Sequence, residues 1–187
     1  MEIPQDPFSP LRPIIEGFGG VDELDRVRKG MHLLATLPRP PVGQTPHQVV
    51  HQQNKLCLRY YDPIVLGDGK ERLKTPVVVI PSMINRAYIC DLEDDRSLVA
   101  GLARAGHPVY LVDWGIPGPE DAQQDVAQVL LDLLHRSIDR ACRHARAKKA
   151  FLLGYCQGGT LSAMYTALRP EKVAGLVALN APVKFSK

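Results

Sequence analysis

Apolar and polar positions along this chain follow two different rhythms, and the rhythm changes near Pro76. Before it, Val21–Leu37 places Leu24, Val27, Met31 and Leu34 at steps of three and four, which predicts an amphipathic helix ended by Pro38-Arg39-Pro40-Pro41. Lys55–Tyr61 alternates, with Leu56, Leu58 and Tyr60 on one face, and reads as an antiparallel strand followed by a turn at Gly67-Asp68-Gly69. After it, short apolar runs alternate with helical spacing. Val77–Ile80 is a continuous β-branched run, as a strand buried on both faces requires. Leu98, Val99, Leu102 and Ala105 make a helix with Gly106 placed to cap its end. Val109–Val112 is the next strand, and Val126 to Cys142 keep helical spacing through Val129, Leu130, Leu133, Ile138 and Ala141. Ala150–Leu153 is a strand, Thr160–Leu168 a helix, and Val173–Leu179 a last strand. Such alternation predicts an α/β fold, a mostly parallel sheet with helices on both faces.

The expected organisation is an arm carrying the amphipathic helix (residues 1–45) and a core over residues 46–187. Met1–Gly20, rich in proline and glycine, is expected to wrap over the surface or stay loose. Composition changes this picture little. An apolar fraction of 45% and a charged fraction of 23% suit a globular domain with a substantial core. The net charge of +3 is mild, and the basic residues Arg140–Lys149 close a helix whose dipole they complement, so nucleic-acid binding is not expected. No apolar run approaches a membrane span, no signal peptide opens the chain, and four cysteines without C-x-x-C spacing argue against a metal site. Free thiols suit a cytoplasmic setting. Cys57, Cys90 and Cys142 read as core filler, and Asp91, Glu93, Asp94 and Asp95 as carboxylates that cap the following helix.

The chemistry gathers at Gly154-Tyr155-Cys156-Gln157-Gly158-Gly159. Strand, tight glycine turn and helix are the context of a nucleophile elbow, in which small neighbours let the backbone bend and the apex side chain stands clear of the sheet. The apex is Cys156, and the N-terminus of the following helix favours a thiolate there. Acyl transfer also needs oxyanion donors. One is expected from the backbone N–H of Gln157 and the second from the loop Pro81–Arg86, with the N–H of Ile84 first and Met83 second. Asn85, Asp113 and Trp114 are candidate substrate-binding residues at strand ends, although Asp113 also fits a turn. In this fold the catalytic acid and base follow the nucleophile, yet residues 157–187 contain no His and no Asp, and all six histidines precede the elbow. An unassisted thiol with a reference pKa of about 8.5 is only a few per cent ionised at neutral pH. A C-terminally incomplete sheet, inactive by itself, is therefore expected. Its last strand would leave an apolar edge that promotes association.

The elbow resembles the lipase-like box of polyhydroxyalkanoate synthases, in which cysteine replaces serine. Thr45-Pro46-His47 to Lys55-Leu56, Tyr60-Tyr61-Asp62-Pro63, Ile84–Leu92 with Asp95-Arg96-Ser97, and Val109–Gly115 are similar in order and spacing to the short, two-subunit (class III) synthases. The resemblance spans roughly residues 45–185 and is N-terminal, leaving out the part that in the family carries the catalytic Asp and His. It implies an α/β-hydrolase-type fold and an acyltransferase that polymerises 3-hydroxyacyl-coenzyme A through an acyl-thioester on Cys156. No cofactor is implied, because coenzyme A is the leaving group. As partners it allows a second synthase subunit, a homo-oligomer and the surface of a polymer granule. Two other readings stay open: an α/β-hydrolase with a cysteine nucleophile acting on small esters or lactones, and a non-catalytic remnant serving as an interaction module.

Overall fold

The computed structural model describes residues 21–37, 41–63 and 71–184, and the chain divides into two compact units, residues 1–40 and 41–187. The stretches expected to be loose (1–20) or to turn (67–69) lie outside the described residues. In the first unit, helix α1 (Val21–Thr36) forms where the spacing predicts it, with Asp25 paired to Arg28 and Lys29 one turn on. Its Val27, Met31 and Leu34 are exposed.

The second unit is built on one six-stranded sheet in the order β1-β2-β4-β3-β5-β6. Its strands are β1 (Gln48–Gln53), β2 (Leu56–Tyr61), β3 (Val77–Ile80), β4 (Val109–Asp113), β5 (Ala150–Tyr155) and β6 (Val173–Leu179). β1 and β2 pair antiparallel, as do β2 and β4, while β3, β4, β5 and β6 run parallel. The chain adds β4 on one side of β3 and β5 on the other, so the C-terminal ends of β3 and β5 lie at a switch point where α/β sheets bind ligands.

Both faces of the central strands are covered, which is why β3 and β4 are apolar without alternation. On one face Val78 and Ile80 join Leu58, Tyr60, Tyr110, Val112 and Leu152 under a long helix, α3, over residues 126–145. On the other, Val77, Val79, Val109 and Leu111 pack against Val99 and Ala103 of helix α2 (Leu98–Arg104). Each fully buried Leu, Ile or Val contributes about 1.5–3 kcal/mol by leaving water. Helix α3 contains a π-helical segment, Val129–Leu134, between its α-helical ends. Helix α4 (Gln157–Leu168) begins directly after Cys156, three residues earlier than its apolar spacing suggests. α2 is closed by Gly106 at φ +96, where an added Cβ would lie 2.7 Å from the Glu71 carbonyl oxygen.

Two expectations are corrected. The carboxylates before α2 do not cap it; the Ser97 side chain does, accepting the Ala100 N–H. Asp91 is instead buried and accepts from the Thr45 and Ser97 hydroxyls and the Thr45 N–H. A buried carboxylate needs several donors, and hydroxyls from both sides supply them. Among the other cysteines, Cys90 and Cys142 are core residues, but Cys57 is only half-buried, because it faces away from Leu56 and Leu58 on β2.

Candidate active site

β5 runs Ala-Phe-Leu-Leu-Gly-Tyr into Cys156, which sits at φ 54, ψ −127 before α4 starts. A non-glycine residue at positive φ is strained by about 1–3 kcal/mol and persists only where its surroundings hold it. Here the Cys156 N–H donates to the Leu179 carbonyl at 2.9 Å, and the Gly159 N–H donates to the Cys156 carbonyl at 2.8 Å. The glycines are a packing requirement. A Cβ on Gly154 would lie 2.4 Å from the Gly159 Cα, and one on Gly158 would lie 1.9 Å from the Ile80 carbonyl oxygen. Helix α4 thus rests directly on the end of β3, which aims its N-terminus at the thiol. No acidic residue occupies its first turn, so its dipole favours an anion at that end. Cys156 is half-buried, between surface and core.

The loop after β3 lies against the start of α4. The Met83 N–H donates to the side-chain oxygen Oε1 of Gln157 at 3.1 Å, and the Ser82 hydroxyl donates to the same oxygen at 3.3 Å. The Ile84 N–H donates to Ser82 Oγ at 3.1 Å. The two loop residues named from spacing as oxyanion donors are therefore beside the elbow, each N–H engaged by a side chain. Ser82 and the Gln157 carboxamide were missed in the sequence, where neither periodicity nor motif singles them out.

Asn85 is exposed on the same loop. Asp113 is buried, pairs with Arg59 across from β2, and accepts the Gly115 N–H at 3.0 Å. Its carboxylate is committed to holding the end of β4. Trp114 donates its indole N–H to the Pro81 carbonyl at 3.0 Å and lines a cavity of about 100 Å³ with Met83, Leu56, Leu133, Lys55 and Asp121. Lys55 pairs there with Glu120 and Asp121, and these hydrogen bonds raise its pKa and lower theirs. A second cavity, about 280 Å³ and almost wholly apolar, is lined by Tyr155, Leu179, Ile89, Cys90, Leu92 and Leu98.

Three histidines of this unit are engaged away from Cys156. His47 contacts the Thr45 carbonyl, His135 the Tyr165 hydroxyl and His144 the Tyr110 hydroxyl. Burial lowers the pKa of His51 and of His144. Among the described residues, no imidazole and no carboxylate hydrogen-bonds the Cys156 thiol, and no cluster of His, Cys, Asp and Glu is arranged to hold a metal. No described helix is long and apolar enough to cross a membrane.

The strand order, and the turn at Cys156 with the loop after β3 beside it, match known proteins. Residues 75–187 match the alpha/beta hydrolase fold family. The chain belongs to that family. Within this alpha/beta hydrolase, residues 40–102 also match the N-terminus of poly-beta-hydroxybutyrate polymerase (PhaC), so the resemblance to polyhydroxyalkanoate synthases holds. The poly(3-hydroxyalkanoate) polymerase subunit PhaC of Synechocystis is 40% identical over 146 residues, covering 78% of this chain and 38% of that protein. Its counterpart from Allochromatium vinosum is 37% identical over 169 residues, 88% of this chain and 46% of that one. The chain thus spans less than half the length of these relatives. A thioesterase domain from the curacin biosynthetic pathway superposes with a TM-score of 0.53 at 17% identity, over 76% of this chain and 46% of that one, and shares the fold alone.

Proposed function

We propose that this chain is the nucleophile-bearing part of an acyltransferase that polymerises 3-hydroxyacyl-coenzyme A into polyhydroxyalkanoate. The observation that carries the reading is Cys156 at positive φ on the turn between β5 and α4, in a chain whose relatives are poly(3-hydroxyalkanoate) polymerase subunits. In the proposed step the Cys156 sulfur attacks the thioester carbonyl carbon. The resulting oxyanion is held by the N–H groups of Gln157 and Ile84, the carbon–sulfur bond to coenzyme A breaks, and coenzyme A leaves as its thiol after taking up a proton. The hydroxyl of the next acyl group then attacks the enzyme thioester. Sulfur suits both halves, since thioester exchange is nearly balanced and a thiolate leaves readily. Trp114 and Asn85 are the candidate substrate contacts. Asp113 acts through the loop geometry it holds.

Residues 157–187 contain no His and no Asp to activate the thiol, so these 187 residues alone are expected to be catalytically silent. A second synthase subunit, self-association, a granule surface and a cytoplasmic setting belong to the same proposal. The test is coenzyme A release from 3-hydroxybutyryl-coenzyme A by this chain. No release beyond one equivalent is expected. Sustained turnover that vanishes in Cys156→Ser would show that a base is present within the chain after all.

A further inference from the structure

The backbone and the side chain of Gln157 face different tasks. Its N–H lies in the first turn of α4, where amides have no partner within the helix. Its carboxamide reaches away from the helix to the loop after β3. One oxygen, Oε1, accepts from two neighbouring residues, the Met83 N–H at 3.1 Å and the Ser82 hydroxyl at 3.3 Å. Ser82 is fully buried and its oxygen also receives the Ile84 N–H at 3.1 Å. A relay therefore runs from α4 through Gln157 Oε1 and Ser82 Oγ to the Ile84 N–H. Beyond it Ile84, Asn85 and Arg86 are exposed, so little packing holds this part of the loop.

We infer that the Gln157 side chain is a positioning group that pins loop residues 82–84 to the N-terminus of α4 and so fixes the distance between the two oxyanion donors. The inference deepens the reading above and rests on it. The donors come from separate segments, the end of β3 and the start of α4, and must converge on one oxygen. Displacement of such a donor by about 1 Å can cost on the order of 100-fold in rate. Two bonds to adjacent residues resist that displacement in two directions.

The test compares two reactions of one thiol. Acylation of Cys156 by the S-phenyl thioester of 3-hydroxybutyrate passes through a tetrahedral oxyanion, forms the new carbon–sulfur bond and expels thiophenol. Alkylation by iodoacetamide displaces iodide and forms no oxyanion. Both are read by mass spectrometry of the Cys156 peptide. In Gln157→Leu, acylation is expected to fall roughly 10- to 100-fold while alkylation stays within about threefold. Gln157→Glu keeps an acceptor oxygen at the same reach and is expected to restore the ratio of the two rates. Gln157→Asn is too short to reach Met83; it should lose the ratio as Gln157→Leu does, and it carries the test where the leucine variant does not fold. An unchanged ratio in Gln157→Leu and Gln157→Asn overturns the inference. So does an equal fall in both rates, which would place the effect on the thiol itself. A parent chain whose Cys156 takes no acyl group at all would bring down the nucleophile reading, and this inference with it.

Discussion

Replacing Gly158 by alanine adds one methyl group where the structure has no room. The new Cβ would lie 1.9 Å from the Ile80 carbonyl oxygen, 2.7 Å from the Ile80 carbonyl carbon and 2.7 Å from the Pro81 carbonyl oxygen. All three are backbone atoms at the end of a fully buried central strand, so no side chain can swing aside. Restoring even a 3.0 Å contact means moving α4 and β3 apart by about 1.1 Å, in an interior packed as densely as an organic crystal. Overpacking of this kind costs typically 1–3 kcal/mol, and a backbone clash belongs at the upper end, about 3 kcal/mol. For a chain of this size that corresponds to a fall in Tm of roughly 6–12 °C. Gly101 is the internal control: it lies within α2, a Cβ there meets nothing within 4 Å, and Gly101→Ala should stabilise by about 0.5–1 kcal/mol through helix propensity. Thermal denaturation followed by far-ultraviolet circular dichroism measures both. A Gly158→Ala chain that melts within about 2 °C of the parent would refute the claim that α4 rests on β3 through this glycine.

Three further outcomes follow from other parts of the fold. Iodoacetamide should modify the half-buried Cys156 and Cys57 in the folded chain and reach Cys90 and Cys142 only after unfolding, since burial, with Asp91 beside it, pushes the Cys90 thiol up to about 11 and burial also raises Cys142; peptide mass mapping with all four equally labelled would contradict the core. Lys172 donates to Asp139 at 2.8 Å and lowers its pKa, so Lys172→Met should cost about 0.5–1 kcal/mol at neutral pH. A carboxylate held below its unfolded pKa stabilises the fold above that value and loses the effect as pH falls through its folded pKa, so the two chains' urea midpoints should converge in acid; a deficit that persists there would point to packing instead. Finally, β6 ends the sheet with Leu176, Val177 and Leu179 exposed, and the chain should associate with rising concentration and do so less as Val177→Lys, as light scattering after gel filtration would show; a strict monomer at all concentrations would deny that this edge is adhesive.

The elements legible in the sequence are those whose pattern is set by burial. β3 and β4 are apolar throughout because both faces are covered, and β2 alternates because Leu56, Leu58 and Tyr60 face the core while Cys57 and Arg59 do not. β1 was missed for the same physical reason. Gln48–Gln53 is a polar edge strand whose stability comes from its ladder to β2 rather than from buried side chains. A signal was there: Gln53 pairs with Leu56, leaving Asn54-Lys55 as a two-residue turn with Asn54 at φ 53, a residue type suited to that conformation. The apolar spacing starts α4 late because Gly158 and Gly159 look like a turn, whereas they lie in its first turn. At the site, the elbow could be read from glycine spacing, but the bonds from Gln157 to Ser82 and Met83 join segments about 75 residues apart, and no local pattern encodes such a contact.

That separation explains why the elbow is a property of the whole unit and not of its six residues. The strain at Cys156, about 1–3 kcal/mol, would relax in an isolated peptide. Against it stand the Cys156 N–H on the Leu179 carbonyl from β6 and the Gly159 N–H on the Cys156 carbonyl, each contributing about 1 kcal/mol net. Gly158 lies against the end of β3, Gly159 against Ala181, and the Thr160 hydroxyl donates to the Pro182 carbonyl at 2.7 Å. The segments that hold the apex upright are therefore β3, β6 and the loop after β6, all brought together by the parallel sheet. The same contacts orient α4 and set the loop after β3 beside it. A substitution that loosens β6 should thus weaken the proposed acylation of Cys156 without touching the thiol, because the strained apex and the loop beside it are stabilised by one set of neighbours.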